Sequence, residues 1–209
     1  MIDHQNKYIF IHIPKNAGES IEKALGGYMN RSKLCWIEKG FPLQHLTASQ
    51  IKARAGEEKF DNYFKFSFVR NPFSKCLSEY FWEKNTWMTL GTTLGFKQWV
   101  KTKLKKLIKN SEKRDIPIEK KMHNLPQYKF IYNDEGESMV DWIGRFENVV
   151  NDFNVACNKI GIPNRQLPHE NKANHKHYTE YYDTESREIV AEEYAKDIEY
   201  FGYKFGTGW

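Results

Sequence analysis

The chain is poor in the residues that staple or anchor a fold. Its three cysteines, Cys35, Cys76 and Cys157, stand far apart and form no Cys-x-x-Cys pair. That spacing argues against a disulfide framework and a zinc site, and it fits a reducing compartment. Long apolar runs are also missing. The first, Tyr8 to Ile13, is too short for a signal sequence or a membrane span. A soluble, cytoplasmic protein with no transmembrane segment is the expectation. No cluster of histidines, cysteines and acids has metal-ligand spacing, so no metal is expected. Internal repeats and low-complexity tracts are absent, and no nucleic-acid partner is expected. One glycine pattern is missing as well. A Walker A loop needs G-x-x-x-x-G-K-[ST], whereas His12–Ser20, HIPKNAGES, places Lys15 before Gly18 and has no first glycine. A standard ATP or GTP kinase is therefore disfavoured.

Aromatic residues, by contrast, are plentiful: 14 Phe, 12 Tyr and 6 Trp among 209 residues. With a hydrophobic fraction of 40%, that is enough for a ring-built core, and the length suits one domain over 1–209. The net charge of +5 is uneven. Residues 97–121 hold ten Lys and Arg against three acids, and the remainder is slightly acidic. The run reads either as a solvated helix face or as an attractor of an anionic acceptor or a membrane surface.

Periodicity sketches the elements. Tyr8–Ile13 is a buried strand, followed by a turn and a helix from Gly18 or Glu19 that ends at Gly26 and Gly27. Thr47 is the expected N-cap of a short helix reaching Ala55. Tyr63–Val69 is a second buried strand; Pro72 ends it and opens a helix over about Ser74–Lys84. Tyr128–Tyr132 and Val140–Phe146 read as two strands joined by the turn Asn133–Gly136. Val149–Ile160 is a helix stopped by Gly161. A last helix runs from Thr184 to Phe201, capped by Asp183 or Thr184, with Gly202 as terminator. Strand, polar turn, helix thus occurs twice, which predicts an α/β fold with a central, mostly parallel sheet flanked by helices. Ligands of such sheets bind beyond the C-terminal ends of the strands.

Both turns carry anion chemistry. Lys15 places a cation at the first, Gly18 allows close backbone approach, and Ser20 offers a hydroxyl at the helix start. Arg70 ends the second strand, and Ser78 lies in the helix after it. A guanidinium suits bidentate oxyanion contacts.

Together, in this order, the turns resemble the carbohydrate sulfotransferases, the family 2 type that includes heparan-sulfate 2-O- and chondroitin sulfotransferases and bacterial relatives. The similarity extends to Gly144–Asn148 (GRFEN) and Tyr181–Phe205, and it is least over 85–121. It implies a P-loop-kinase-like sulfotransferase fold over 1–209, with a basic, substrate-side insertion at about 85–127. It also implies use of 3′-phosphoadenosine-5′-phosphosulfate (PAPS), released as PAP. Lys15, Asn16, Ala17, Gly18, Glu19 and Ser20 would then hold the 5′-phosphosulfate, and Arg70 and Ser78 the 3′-phosphate. Asn171 and Lys172 belong to a loop expected near the nucleotide. Two positions depart from the pattern: Glu19, an acid where relatives often carry Thr or another small residue, and Ala173, where they often have Ser.

Sulfuryl transfer to a hydroxyl needs a proton acceptor. His45, between the two turns, is the residue the resemblance points to; the plain alternative is a structural histidine at a helix start. His12 reads as a packed or hydrogen-bonded residue at a strand end. The expected activity is PAPS-dependent O-sulfation of a carbohydrate or other hydroxyl-bearing acceptor, with His45 as base and Lys15 on the leaving group. Trp82, Trp87 and Trp99 are either acceptor-site rings or core. The rivals are a nucleotide-dependent phosphotransferase and an inactive polyanion-binding module built on residues 97–121.

Overall fold

The computed structural model describes residues 1–26, 37–38, 41–42, 45–85, 93–111, 122–168 and 176–207. In chain order these form β1 (Ile2–Asp3), β2 (Tyr8–Ile11), α1 (Gly18–Ala24), β3 (Ile37–Glu38), β4 (Phe41–Pro42), α2 (Ala48–Ala55), α3 (Glu57–Asn62), β5 (Phe64–Val69) and α4 (Pro72–Asn85). There follow α5 (Phe96–Trp99), which continues through a π-helical stretch, Val100–Leu104, into α6 (Lys105–Ser111), then α7 (Tyr128–Ile131), β6 (Trp142–Arg145), α8 (Val149–Lys159), α9 (Thr184–Glu193) and α10 (Ala195–Phe201). The chain divides into two compact units, Met1–Val69 with Lys129–Lys172 and Arg70–Tyr128 with Ala173–Trp209. Each is assembled from two separate stretches of chain.

The first unit is built on a four-stranded sheet in the order β1-β2-β5-β6. β1 is antiparallel to β2, while β2, β5 and β6 are parallel. This is the mostly parallel α/β architecture predicted from the strand–turn–helix repeats. The register sets Tyr8 beside Phe64, Phe10 beside Phe66, and Phe66 beside Trp142. One sheet face is therefore a layer of rings, covered by Ile21 and Leu25 at α1 and by Phe153, Ala156 and Cys157 of α8. Gly144 is required within that layer: a Cβ there would lie 2.5 Å from the Phe68 ring and 2.7 Å from that of Trp142. On the opposite face Lys65 stays satisfied, with Nζ 3.1 Å from the Asp141 carboxylate and donating to the carbonyls of Phe60 and Tyr63.

The second unit is helical. Phe73, Cys76, Leu77 and Tyr80 of α4 pack with Phe96, Trp99, Tyr178, Val190 and Tyr194. Trp99 is a core ring with its Nε1 donating to Glu83. Burial pushes the Cys76 thiol up to about 12, which leaves it a poor nucleophile at neutral pH.

Most local expectations hold within a residue or two. Thr47 caps α2 in a full capping box with Gln50, Asp183 caps α9 through Ser186, and Gly161 and Gly202 adopt positive φ at helix ends. Two do not hold. Tyr128–Tyr132 is not a strand: Tyr128–Ile131 is a single helical turn, and Tyr132 makes only an isolated bridge to Ser138. The cause is a remote cap, since Asp197 accepts from the backbone N–H groups of both Gln127 and Tyr128 at 2.8 Å. Nor is Thr184–Phe201 one helix. It breaks at Tyr194 (φ −113°, ψ 27°), whose buried hydroxyl is tied to the Asn124 carbonyl.

Asp197 is fully buried, and burial raises its carboxyl from 3.8 to about 6. The native state therefore holds this proton at pH values where the unfolded chain has released it. The stability it contributes is complete below about pH 4 and is lost as pH rises through about 6, a change of at most ~3 kcal/mol. Urea unfolding of wild type and Asp197→Asn at pH 4.5 and pH 7 checks this. The advantage of wild type over the variant is expected to shrink at pH 7, and a pH-independent difference excludes the assignment.

Candidate active site

The first turn follows β2 directly. His12, Ile13 and Pro14 complete the strand exit, and the chain then reverses with Lys15 at φ 68° and Ala17 at φ 62°. Left-handed φ is unusual for residues with a Cβ. Alternating it along a short stretch turns successive backbone N–H groups inward, the concavity that binds anions. Ala17 is the N-cap of α1 and has no side chain with which to cap it, so that role is left to another group. The turn is pinned from below. Asn16, 1% exposed, donates from Nδ2 to the Phe68 carbonyl at 2.7 Å. Gly18 lies so close to the His12 imidazole that a Cβ there would sit 2.0 Å from Nε2. Ser20 is buried, and Glu19 is exposed in the first turn of α1, where an acid suits the helix dipole.

Behind the turn, His12 Nδ1 stands 3.0 Å from Glu22 Oε1, with both side chains buried. The His45 ring meets the His12 ring edge-on, centroids 4.4 Å apart, and its Nδ1 lies 3.4 Å from the His12 carbonyl. His45 is outside the helix, two residues before the N-cap of α2, in a left-handed conformation and half-buried. In the Nδ1–H tautomer the contact with the His12 carbonyl is a hydrogen bond and the lone pair lies on Nε2. Gly18 of the first turn and His45, far apart in sequence, thus meet the same buried histidine.

The second turn opens α4. Arg70 is 7% exposed; its Nε and Nη2 both donate to Ser74 Oγ, at 2.9 and 2.8 Å. Its backbone N–H and carbonyl are held by the Gln127 amide at 2.9 and 2.8 Å. Ser78, one turn beyond Ser74, is half-buried. Arg70 thus meets the Ser74 hydroxyl, a residue the sequence reading did not name. Asn71 caps α4 through Phe73 N and donates to the carbonyls of Lys204 and Thr207.

The family model described as the sulfotransferase family matches residues 1–204. The chain belongs to the sulfotransferase family. As a sulfotransferase it moves a sulfuryl group to a hydroxyl-bearing acceptor. It is 31% identical over 118 residues to an uncharacterized protein of Archaeoglobus fulgidus, an overlap covering 56% of this chain and 84% of that protein. No solved structure matches this sulfotransferase.

The remaining site expectations divide. Asn171, Lys172 and Ala173 lie outside the described residues, as do Trp87, Cys35, His169 and His175. The described part of the basic run is partly neutralised: Lys101 pairs with Asp183 and Glu185, Lys103 with Glu83, and Lys105 with Glu193. Among the described residues, no group of three or more His, Cys, Asp or Glu is placed to hold a metal ion. No described helix is long and apolar enough to cross a membrane.

Sequence reasoning missed a polar cluster in the second unit of the sulfotransferase. Lys75, fully buried, donates to the His123 carbonyl at 2.8 Å, and desolvation lowers its pKa. His123 Nδ1 meets the buried Glu79 carboxylate at 2.9 Å, and its ring stacks on Trp82 at 4.2 Å. Lys75 and Glu79 are one helical turn apart on α4, and that spacing was the available signal.

Proposed function

We propose that this sulfotransferase takes its sulfuryl group from PAPS and transfers it to a hydroxyl of a carbohydrate acceptor. The observation that carries the reading is the first turn: left-handed Lys15 and Ala17, an uncapped helix start, a glycine that admits close approach, and His45 beside the same buried histidine. In this reading the backbone of Asn16–Gly18, with the exposed Glu19 turned away and Ser20 at the helix start, cradles the 5′-phosphosulfate. Arg70, with Ser74 or Ser78, takes the 3′-phosphate, and Asn171 and Lys172 border the nucleotide. PAPS supplies an activated S–O bond. The acceptor oxygen forms the new bond to sulfur as the bridging S–O bond to the 5′-phosphate breaks. His45 Nε2 takes the hydroxyl proton, and Lys15 Nζ balances the charge that develops on the bridging oxygen. Leaving-group stabilisation of this electrostatic kind is commonly the largest catalytic contribution.

The basic segment then belongs to a substrate-side insertion at about 85–127 of one sulfotransferase domain. Its lysine–acid pairs reduce the free charge that a polyanion-binding module would need. A cytoplasmic enzyme is in keeping with the free, buried thiols of Cys76 and Cys157.

Thermal unfolding with PAP, ATP–Mg²⁺ or heparin separates the readings, because a ligand that binds only the native state raises Tm. Stabilisation by PAP alone is expected. Stabilisation by ATP–Mg²⁺ without PAP would instead favour a phosphotransferase, and a response to heparin alone a polyanion-binding module.

A further inference from the structure

Glu22 is an anomaly. It lies on the inner side of α1, 1% exposed, and neither carboxylate oxygen has a well-formed hydrogen bond. His12 Nδ1 stands 3.0 Å from its Oε1. An uncompensated buried carboxylate is costly, and an apolar side chain of similar size would avoid the cost. Stability alone therefore does not account for the pair.

Its surroundings do. The His12 ring occupies the space against Gly18, within the turn. The same ring supports His45 edge-on, and the His12 carbonyl faces His45 Nδ1. Phe10 stacks on the far side, centroids 5.9 Å apart at 22°. One imidazole thus bears on the anion turn and on the expected base together. Phe10 packs on one side of the ring, and Glu22 Oε1 lies 3.0 Å from its Nδ1.

We propose that His12 and Glu22 form a buried positioning pair, in which the Glu22 carboxylate fixes the His12 ring, and the ring holds the Lys15–Gly18 turn and keeps His45 packed against the His12 carbonyl, which favours its Nδ1–H form. This rests on the reading of that turn as the phosphosulfate site and of His45 as the base. His12 touches no reacting atom; it acts through its neighbours. Displacing a base or a binding turn by a fraction of an ångström to an ångström costs turnover rather than fold.

The test uses Glu22→Gln, which keeps the shape, and His12→Leu/Glu22→Leu, which exchanges the pair for apolar groups and is expected to fold. The first readout needs no nucleotide. Imidazole ¹⁵N NMR, with His45 assigned by its loss in a His45→Asn control, reports which ring nitrogen carries the proton. Wild type is expected to show the Nδ1–H form, and the double variant a shift towards Nε2–H. The second readout is kinetic: kcat falls about 10- to 100-fold in the double variant and less in Glu22→Gln, with the PAP dissociation constant raised and Tm nearly unchanged. An unaltered His45 tautomer, with kcat and PAP affinity within twofold of wild type, overturns the proposal. If wild type fails to bind PAP, the PAPS reading falls, and the tautomer comparison still decides whether the pair positions His45.

Discussion

Lys15→Ala is expected to lower kcat by ~10²–10³ while leaving the acceptor KM nearly unchanged. That is the typical loss when one preorganised donor to developing charge is removed. The argument rests on timing. Charge grows on the bridging oxygen only as the S–O bond breaks, so the ammonium contributes more in the transition state than in the ground state, and such an interaction appears in kcat. Backbone strain offers a control. Lys15 has φ 68°, a conformation glycine adopts freely. Lys15→Gly therefore removes the same cation while relaxing the backbone. Equal kcat losses in the two variants, measured with labelled PAPS, assign the effect to the charge. Turnover preserved in both would remove Lys15 from the chemistry.

His45→Ala is the second large effect: a fall in kcat of ~10²–10⁴, the range for a positioned general base. The pH profile gives the sharper signature. Protonation of His45 abolishes its base function, so wild-type kcat/KM should decline on the acid side. In His45→Ala that limb should vanish, leaving a low and nearly flat profile. Substantial activity with an unchanged acid limb would assign the proton to another group. PAP affinity separates base from scaffold. His45 stands behind the turn without belonging to it, so PAP binding should survive this substitution far better than turnover does.

What the sequence disclosed followed the range of the interactions involved. The capping box of Thr47 and Gln50, the Asp183 cap and the glycine terminators are written within three or four residues, and each was readable. The two strand-to-helix turns were readable because strand periodicity, punctuation and a charged residue coincide within about fifteen residues. Tyr128–Ile131 was misread because its helical turn is dictated by Asp197, about seventy residues downstream, while its own alternation suggests a strand. Ser74 was passed over because Ser74 and Ser78 repeat at helical spacing, and only coordinates show that the guanidinium meets the Ser74 hydroxyl. The pairing of His12 with Glu22 leaves no local trace, since one residue ends a strand and the other lies inside a helix.

The hydrogen bond from Asn16 to the Phe68 carbonyl bears on the order in which the molecule assembles. Strand β2 is completed early in synthesis, yet its parallel neighbour β5 lies more than fifty residues later, and β6 more than seventy beyond that. Closing such long loops costs entropy before any contact repays it. Asn16 can reach its Phe68 carbonyl partner only once residue 68 has been synthesised, so the Lys15 turn is expected to take its shape after that point. The segment that identifies the chain most clearly on paper is therefore among the later parts to take form. A peptide spanning residues 7–25 should show neither the left-handed Lys15 nor any appetite for PAP, because the sheet, and not the motif, bends that turn.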